Sequence, residues 1–88
     1  MKLSFPNASR SYDARQKCVR FWAYDNALEI PFFLAADALV KMASGTTDDE
    51  HSLLRVFDQH WGKICKAAER AYSRNSRGSY LLQVADVT

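Results

Sequence analysis

The apolar spacing between residues 47 and 75 constrains this chain more than any other feature in it. Leu53, Phe57, Trp61, Ile64, Ala68 and Ala71 follow one another at intervals of four, four, three, four and three. At about 100° per residue they share one narrow sector, the signature of a helix laid along a core. Thr47-Asp48-Asp49-Glu50 fits a capping box, with acids where the helix dipole favours them. Asn75, Ser76 and Gly78 give a softer stop. The spacing predicts one long helix over 47–75. Gly62 inside it costs ~1 kcal/mol relative to alanine, yet the apolar phase runs through unbroken, so no break is expected there. At 1.5 Å per residue such a helix extends ~42 Å, against ~20 Å for a short strand. One end must overhang any sheet it covers.

The sheet comes from the residues on either side. Residues 17–24 are rich in β-branched and aromatic types and read as a strand. Asp25-Asn26 reads as a two-residue turn, because both types tolerate left-handed backbone, and 28–34 return as a second strand. That turn pairs Ala23 with Leu28, Phe21 with Ile30 and Val19 with Phe32, which gathers one apolar face for the helix. The other face then holds Arg20, Trp22, Tyr24, Glu29, Pro31 and Phe33. Pro31 lacks the amide that a central strand needs, which places the second strand at an edge. Residues 36–43 form a short helix without a good N-cap, and Gly45 closes it. Residues 79–85 alternate as a third strand beside the first.

The expected fold is α+β: a three-stranded antiparallel sheet of order 2-1-3, topology ββααβ, with a short and a long helix packed on one face. It forms a single domain over residues 1–88, led by an arm over 1–16 that Phe5 and Tyr12 anchor. A chain this short has a thin core. Its 48% apolar and 25% charged residues are ordinary for a soluble protein.

With the elements placed, the chain resembles a bacterial family of small uncharacterised proteins, domain-of-unknown-function family 1488. Phe5-Pro6-Asn7, Tyr12-Asp13, Val19 with Phe21, Ala38-Leu39, and Phe57, Ile64 and Ala68 carry the likeness, which spans nearly the whole chain. Asp25-Asn26-Ala27, where a glycine is expected, and the uncapped Ala35-Ala36 depart from it. The resemblance implies a compact α+β cytoplasmic protein with no assigned activity, and it carries over no catalytic residue.

Composition and motifs exclude more than they assign. Cys18 and Cys65, with no CxxC or Cys/His cluster, read as reduced, half-buried thiols of a cytoplasmic protein. No targeting segment is visible, and the apolar run 30–36 is far too short to span a bilayer. His51 and His60 are nine residues apart on the predicted helix, too far to share a metal unaided. His60 and Cys65 point apart, so no nucleophile–base pair emerges. No metal, cofactor or catalytic residue is expected, and the chain reads as a non-enzymatic protein.

Charge is segregated along the chain. Lys2, Arg10, Arg15, Lys17 and Arg20 lead, acids dominate the middle, and bases return from Lys63 onward. This either steers an acidic partner or brings unlike ends together in the fold. Two surfaces stand out. Trp22, Tyr24 and Phe33, with Leu81 beside them, give the outer sheet face contiguous apolar surface, the mark of an interface and of a two-fold dimer. The plainer reading is that Phe5 and Pro6 of the arm cover it. Lys63, Lys66, Arg70 and Arg74 form a basic stripe on the long helix with Gln59 in line, suited to phosphates. The plainer reading there is a solvated face near a helix C-terminus. The first hypothesis is a protein-interaction module acting through the outer face, with self-association. The alternative is a nucleic-acid-binding accessory protein acting through the stripe. No membrane role is expected.

Overall fold

The computed structural model describes residues 3–5, 10–43, 45–47, 49–74 and 80–87, with the side chains of Arg74 and Ala85 outside that set. Pro6 and Asn7 of the arm, Asp48 of the expected capping box, the stop at Asn75, Ser76 and Gly78, and Ser79 of the expected third strand lie outside the described residues.

The fold is α+β, but its sheet has four strands and is mixed. Strands β1 (Arg10–Asp13), β2 (Cys18–Asp25) and β3 (Leu28–Ala35) run antiparallel, and β4 (Tyr80–Leu82) lies parallel to β3. The order is β1-β2-β3-β4, which corrects the expected 2-1-3. The last strand cannot lie beside β2, because that edge is already occupied. β1 takes residues 18–21, and Ser4 takes Tyr24 through two backbone hydrogen bonds of 2.8 Å.

Part of the expected arm is therefore sheet: Arg10–Asp13 form β1, and Ser4 makes a bridge to Tyr24. The β1–β2 turn is closed by the Asp13 carboxylate, which accepts from the backbone N–H of Arg15 at 3.0 Å and Gln16 at 3.2 Å. Lys17 completes it at φ 53°. The Lys17 carbonyl then accepts from the N–H of Ala36 at 2.9 Å. That bond serves α1 (Ala36–Met42), whose N-cap Ala35 has no side chain able to do so.

The hairpin turn is Asn26-Ala27 rather than Asp25-Asn26. Asp25 pairs with Leu28, and Asn26 takes the left-handed conformation at φ 57°. Ala23 therefore opposes Ile30, Phe21 opposes Phe32 and Val19 opposes Leu34. Each partner lies two residues beyond the expected one. A shift of two preserves the face, since side chains alternate with period two.

Pro31 is not on an edge strand. It pairs with Trp22 on β2, and the described pairing of β3 with β4 starts at Phe32 with Tyr80. Among the described residues Pro31 has no partner on the β4 side, so its missing N–H leaves no described pairing short of a bond.

The expected long helix is two helices, α2 (Glu50–Gln59) and α3 (Trp61–Arg74), separated at His60. His60 leaves helical geometry at φ −111° and ψ 25°. Its ring Nδ1 lies 3.1 Å from the Val56 carbonyl that its own backbone N–H also uses, at 3.0 Å. Side-chain competition for a backbone carbonyl bends helices, and Gly62 next to it resists little. The molecule's longest dimension is 36 Å, less than an unbroken helix would need. The helix start is also displaced: Asp49, not Thr47, is the N-cap, accepting from the Ser52 N–H at 3.0 Å. Thr47 donates its hydroxyl to the same carboxylate.

Residues 83–87 turn away from the sheet instead of extending the last strand. Gln83 N–H donates to the Asp86 carboxylate at 2.7 Å and Asp86 N–H to the Gln83 carbonyl at 2.9 Å. This starts a single turn, α4 (Val84–Val87), that buries Val87.

The apolar ridge and the sheet meet as the spacing requires. Leu53, Val56, Phe57, Ile64, Ala67, Ala68, Ala71 and Tyr72 are buried against Val19, Phe21, Ala23, Ile30, Phe32, Leu34, Tyr80 and Leu82. Phe21 stacks on Phe32 at 5.3 Å and meets Phe57 and Trp61 edge-on at 5.3 and 5.8 Å. Tyr72 donates its hydroxyl to Asp25 at 2.6 Å, joining α3 to the hairpin end.

Candidate functional site

The outer sheet face is built by the residues between the core positions. Strand pairing sets them in rows: Ser11, Arg20, Phe33 and Leu81; then Trp22 and Pro31; then Ser4, Tyr24 and Glu29. Sequence reasoning placed Trp22, Tyr24 and Phe33 together, and the register does bring them to one face. The two-residue shift changes their neighbours, not their side. Leu81 joins through β4, opposite Phe33 rather than beside β2, and is 56% exposed.

The arm does not cover this face with Phe5. That ring packs edge-on against Trp61 at 5.6 Å, on the helix side of the sheet. Leu3 is buried in the same core. Pro6 lies outside the described residues.

Arg20 organises the face, a role its sequence position alone did not reveal. Its guanidinium lies 5.2 Å from the Trp22 ring centroid and 5.9 Å from that of Phe33. It bridges two rows through cation–π contact, worth ~0.5–1 kcal/mol at exposed sites. The signal was Arg20 flanked by Trp22 at i+2, which alternation puts on one side. At the far row, Tyr24 donates its hydroxyl to the Glu29 carboxylate at 3.2 Å. That bond pushes the Tyr24 phenol above its ordinary value. The face thus presents half-buried rings, a cation held on one side of Trp22 and an anion held on the other.

The basic stripe is only partly assembled. Lys63, Lys66 and Arg70 are exposed on α3. Arg70 donates to the Asp86 backbone carbonyl at 3.0 Å and so fastens α4. The Arg74 side chain lies outside the described set. Among the described residues the basic N-terminal stretch meets the acidic middle at Arg10, which forms a bidentate pair with Asp58 at 2.9 and 2.8 Å, tying β1 to α2.

That pair also borders an open cleft of about 520 Å³ with Glu50, His51, Leu54 and Arg55. Two of its charged side chains, Arg10 and Asp58, satisfy each other, and among the described residues no group of three metal-ligating side chains forms. Cys18 is buried and Cys65 half-buried, both as free thiols. Burial, and then Glu69, pushes Cys65 up to about 11, the reverse of what a nucleophilic thiol needs. Among the described residues no helix is long and apolar enough to cross a membrane.

Fold and surface together define a small α+β domain with one sheet face covered by helices and the other, among the described residues, not covered by them. The chain belongs to the family described as "Protein of unknown function (DUF1488)", whose model matches residues 3–82. The fold is also similar to the crystal structure of a protein of unknown function from that family in Shewanella loihica PV-4. The TM-score is 0.80 at 17% identity, over 93% of this chain and 94% of that one. No curated protein matches the chain.

Proposed function

We propose that this protein is a non-enzymatic cytoplasmic interaction module that docks protein partners through its outer sheet face. One observation carries the reading. Trp22, Tyr24, Pro31, Phe33 and the exposed Leu81 line the side of the sheet opposite the helical layer, while Phe5 is spent on the helix side. Contiguous apolar surface rimmed by charge marks interaction sites, and aromatic residues with arginine are the side chains that dominate binding energy.

A photo-crosslinking amino acid placed at Phe33, and separately at Lys66, tests this in the native cell. The Phe33 position should yield a discrete protein adduct that Trp22→Glu abolishes. Adducts from the Lys66 position alone would overturn the reading in favour of a nucleic-acid accessory role for Lys63, Lys66, Arg70 and Arg74.

A further inference from the structure

Resting on the reading of the outer face as a docking surface, we propose that its occupant is a second copy of this chain. The two copies are related by a two-fold axis lying across the strands along the Trp22–Pro31 row. Arg20 of each copy then meets Glu29 of the other.

Charge placement selects this arrangement. Successive rows on one sheet face are ~6.7 Å apart, and Arg20 and Glu29 lie one row to either side of Trp22. In aligned packing, two-fold axes that stack the sheets face to face run close to the strand direction or close to its perpendicular. An axis along the strands, between β2 and β3, keeps each row over its own counterpart. It brings Arg20 diagonally beside Arg20 and Glu29 beside Glu29. An axis across the strands on the Trp22 row exchanges the Arg20 row with the Tyr24–Glu29 row. Unlike charges then face each other twice, and the two Trp22 rings meet at the centre. Like charges in a desolvated contact cost affinity, and unlike ones fix the register. An axis tilted by about 15° from the exact perpendicular gives the roughly 30° between strand directions of aligned sheet packing, at ~10 Å separation.

Both charged groups are already held where this contact needs them. The Tyr24 hydroxyl keeps the Glu29 carboxylate at 3.2 Å, over the position the second Arg20 reaches. The rings of Trp22 and Phe33 support the Arg20 guanidinium at 5.2 and 5.9 Å. Side chains fixed beforehand lose little freedom on association.

Sedimentation equilibrium of the purified chain across micromolar concentrations tests the proposal, with circular dichroism melts confirming that each variant folds. The chain should dimerise. Arg20→Glu and Glu29→Arg should each raise the dissociation constant about tenfold or more, because each sets like charges together at two symmetric contacts. The double swap Arg20→Glu/Glu29→Arg should return it to within about threefold of the original. A chain monomeric throughout, single variants shifting the constant less than twofold, or a double variant no better than the singles would each overturn the dimer described. A monomer whose Phe33 position still crosslinks to another protein in cells would overturn this inference and leave the docking surface standing.

Discussion

Strands β2 and β3 make two faces from alternating residues of the same sixteen positions, and the faces are governed by different physics. On the helix side Val19, Phe21, Ala23, Ile30, Phe32 and Leu34 are at most 2% exposed. Phe32 stacks between Phe21 and Tyr80, and Phe21 meets Phe57 and Trp61 edge-on. On the other side Trp22, Pro31 and Phe33 are only half-buried, and the group that unites them is a cation. Aromatic content is similar on both faces; burial is not. The inner rings hold the fold, whereas the outer rings leave area in water that a partner can still remove.

The sharpest way to break this contrast is to truncate one ring on each side. Phe21→Ala should cost ~3–5 kcal/mol in urea unfolding. That is a large share of what a chain of this size has. Phe33→Ala should cost about 1 kcal/mol or less. Equal losses would mean that the outer face is structural.

A smaller effect probes the layer that covers the inner face. Asp49→Ala should lower the thermal midpoint by roughly 4–8 °C at neutral pH through loss of the α2 cap. The Thr47 hydroxyl, then the Ser52 N–H and hydroxyl, hold the Asp49 carboxyl down to about 2. A depressed carboxyl contributes its stabilisation fully above its unfolded value and loses it as pH falls through the folded one. The gap between wild type and variant should therefore close between pH ~4 and ~2, as melts across that range would show.

The smallest change should be a gain. Gly62 is exposed on α3, and a methyl group there would meet nothing within 4 Å. Gly62→Ala should raise stability by up to ~1 kcal/mol. If the interruption at His60 depends on that glycine, the gain would vanish in denaturant titration.

What the sequence displayed was faces rather than connections. The three-and-four spacing from Leu53 to Ala71 and the alternation through β2 and β3 assigned most of the buried residues, though Trp61 is only half-buried and Leu28, at the strand end, is 61% exposed. Both survived a helix break and a shifted turn, because a two-residue slip leaves every side chain on its own side. The outer residues Trp22, Tyr24 and Phe33 were legible for the same reason. β1 was not, since Arg10-Ser11-Tyr12-Asp13 holds one large apolar residue in four and shows no period. The position of β4 depends on three residues pairing with β3 at long range, which no local pattern encodes. The His60 interruption arises from a ring bonding its own preceding turn, a rotamer choice invisible in residue spacing. Arg20 as the organiser of the outer face needed neighbours on two strands.

The parallel seam between β3 and β4 bears on how the molecule comes into being. Phe32 waits for Tyr80, forty-eight positions later in synthesis. Everything from α1 to α3 must leave the ribosome before that gap is filled, so the hairpin spends its early life with one flank bare. Pairings of such long reach are slow to form. A proline at Pro31, on that bare flank just before Phe32, makes the nascent edge a poor template for stray strands while the chain waits.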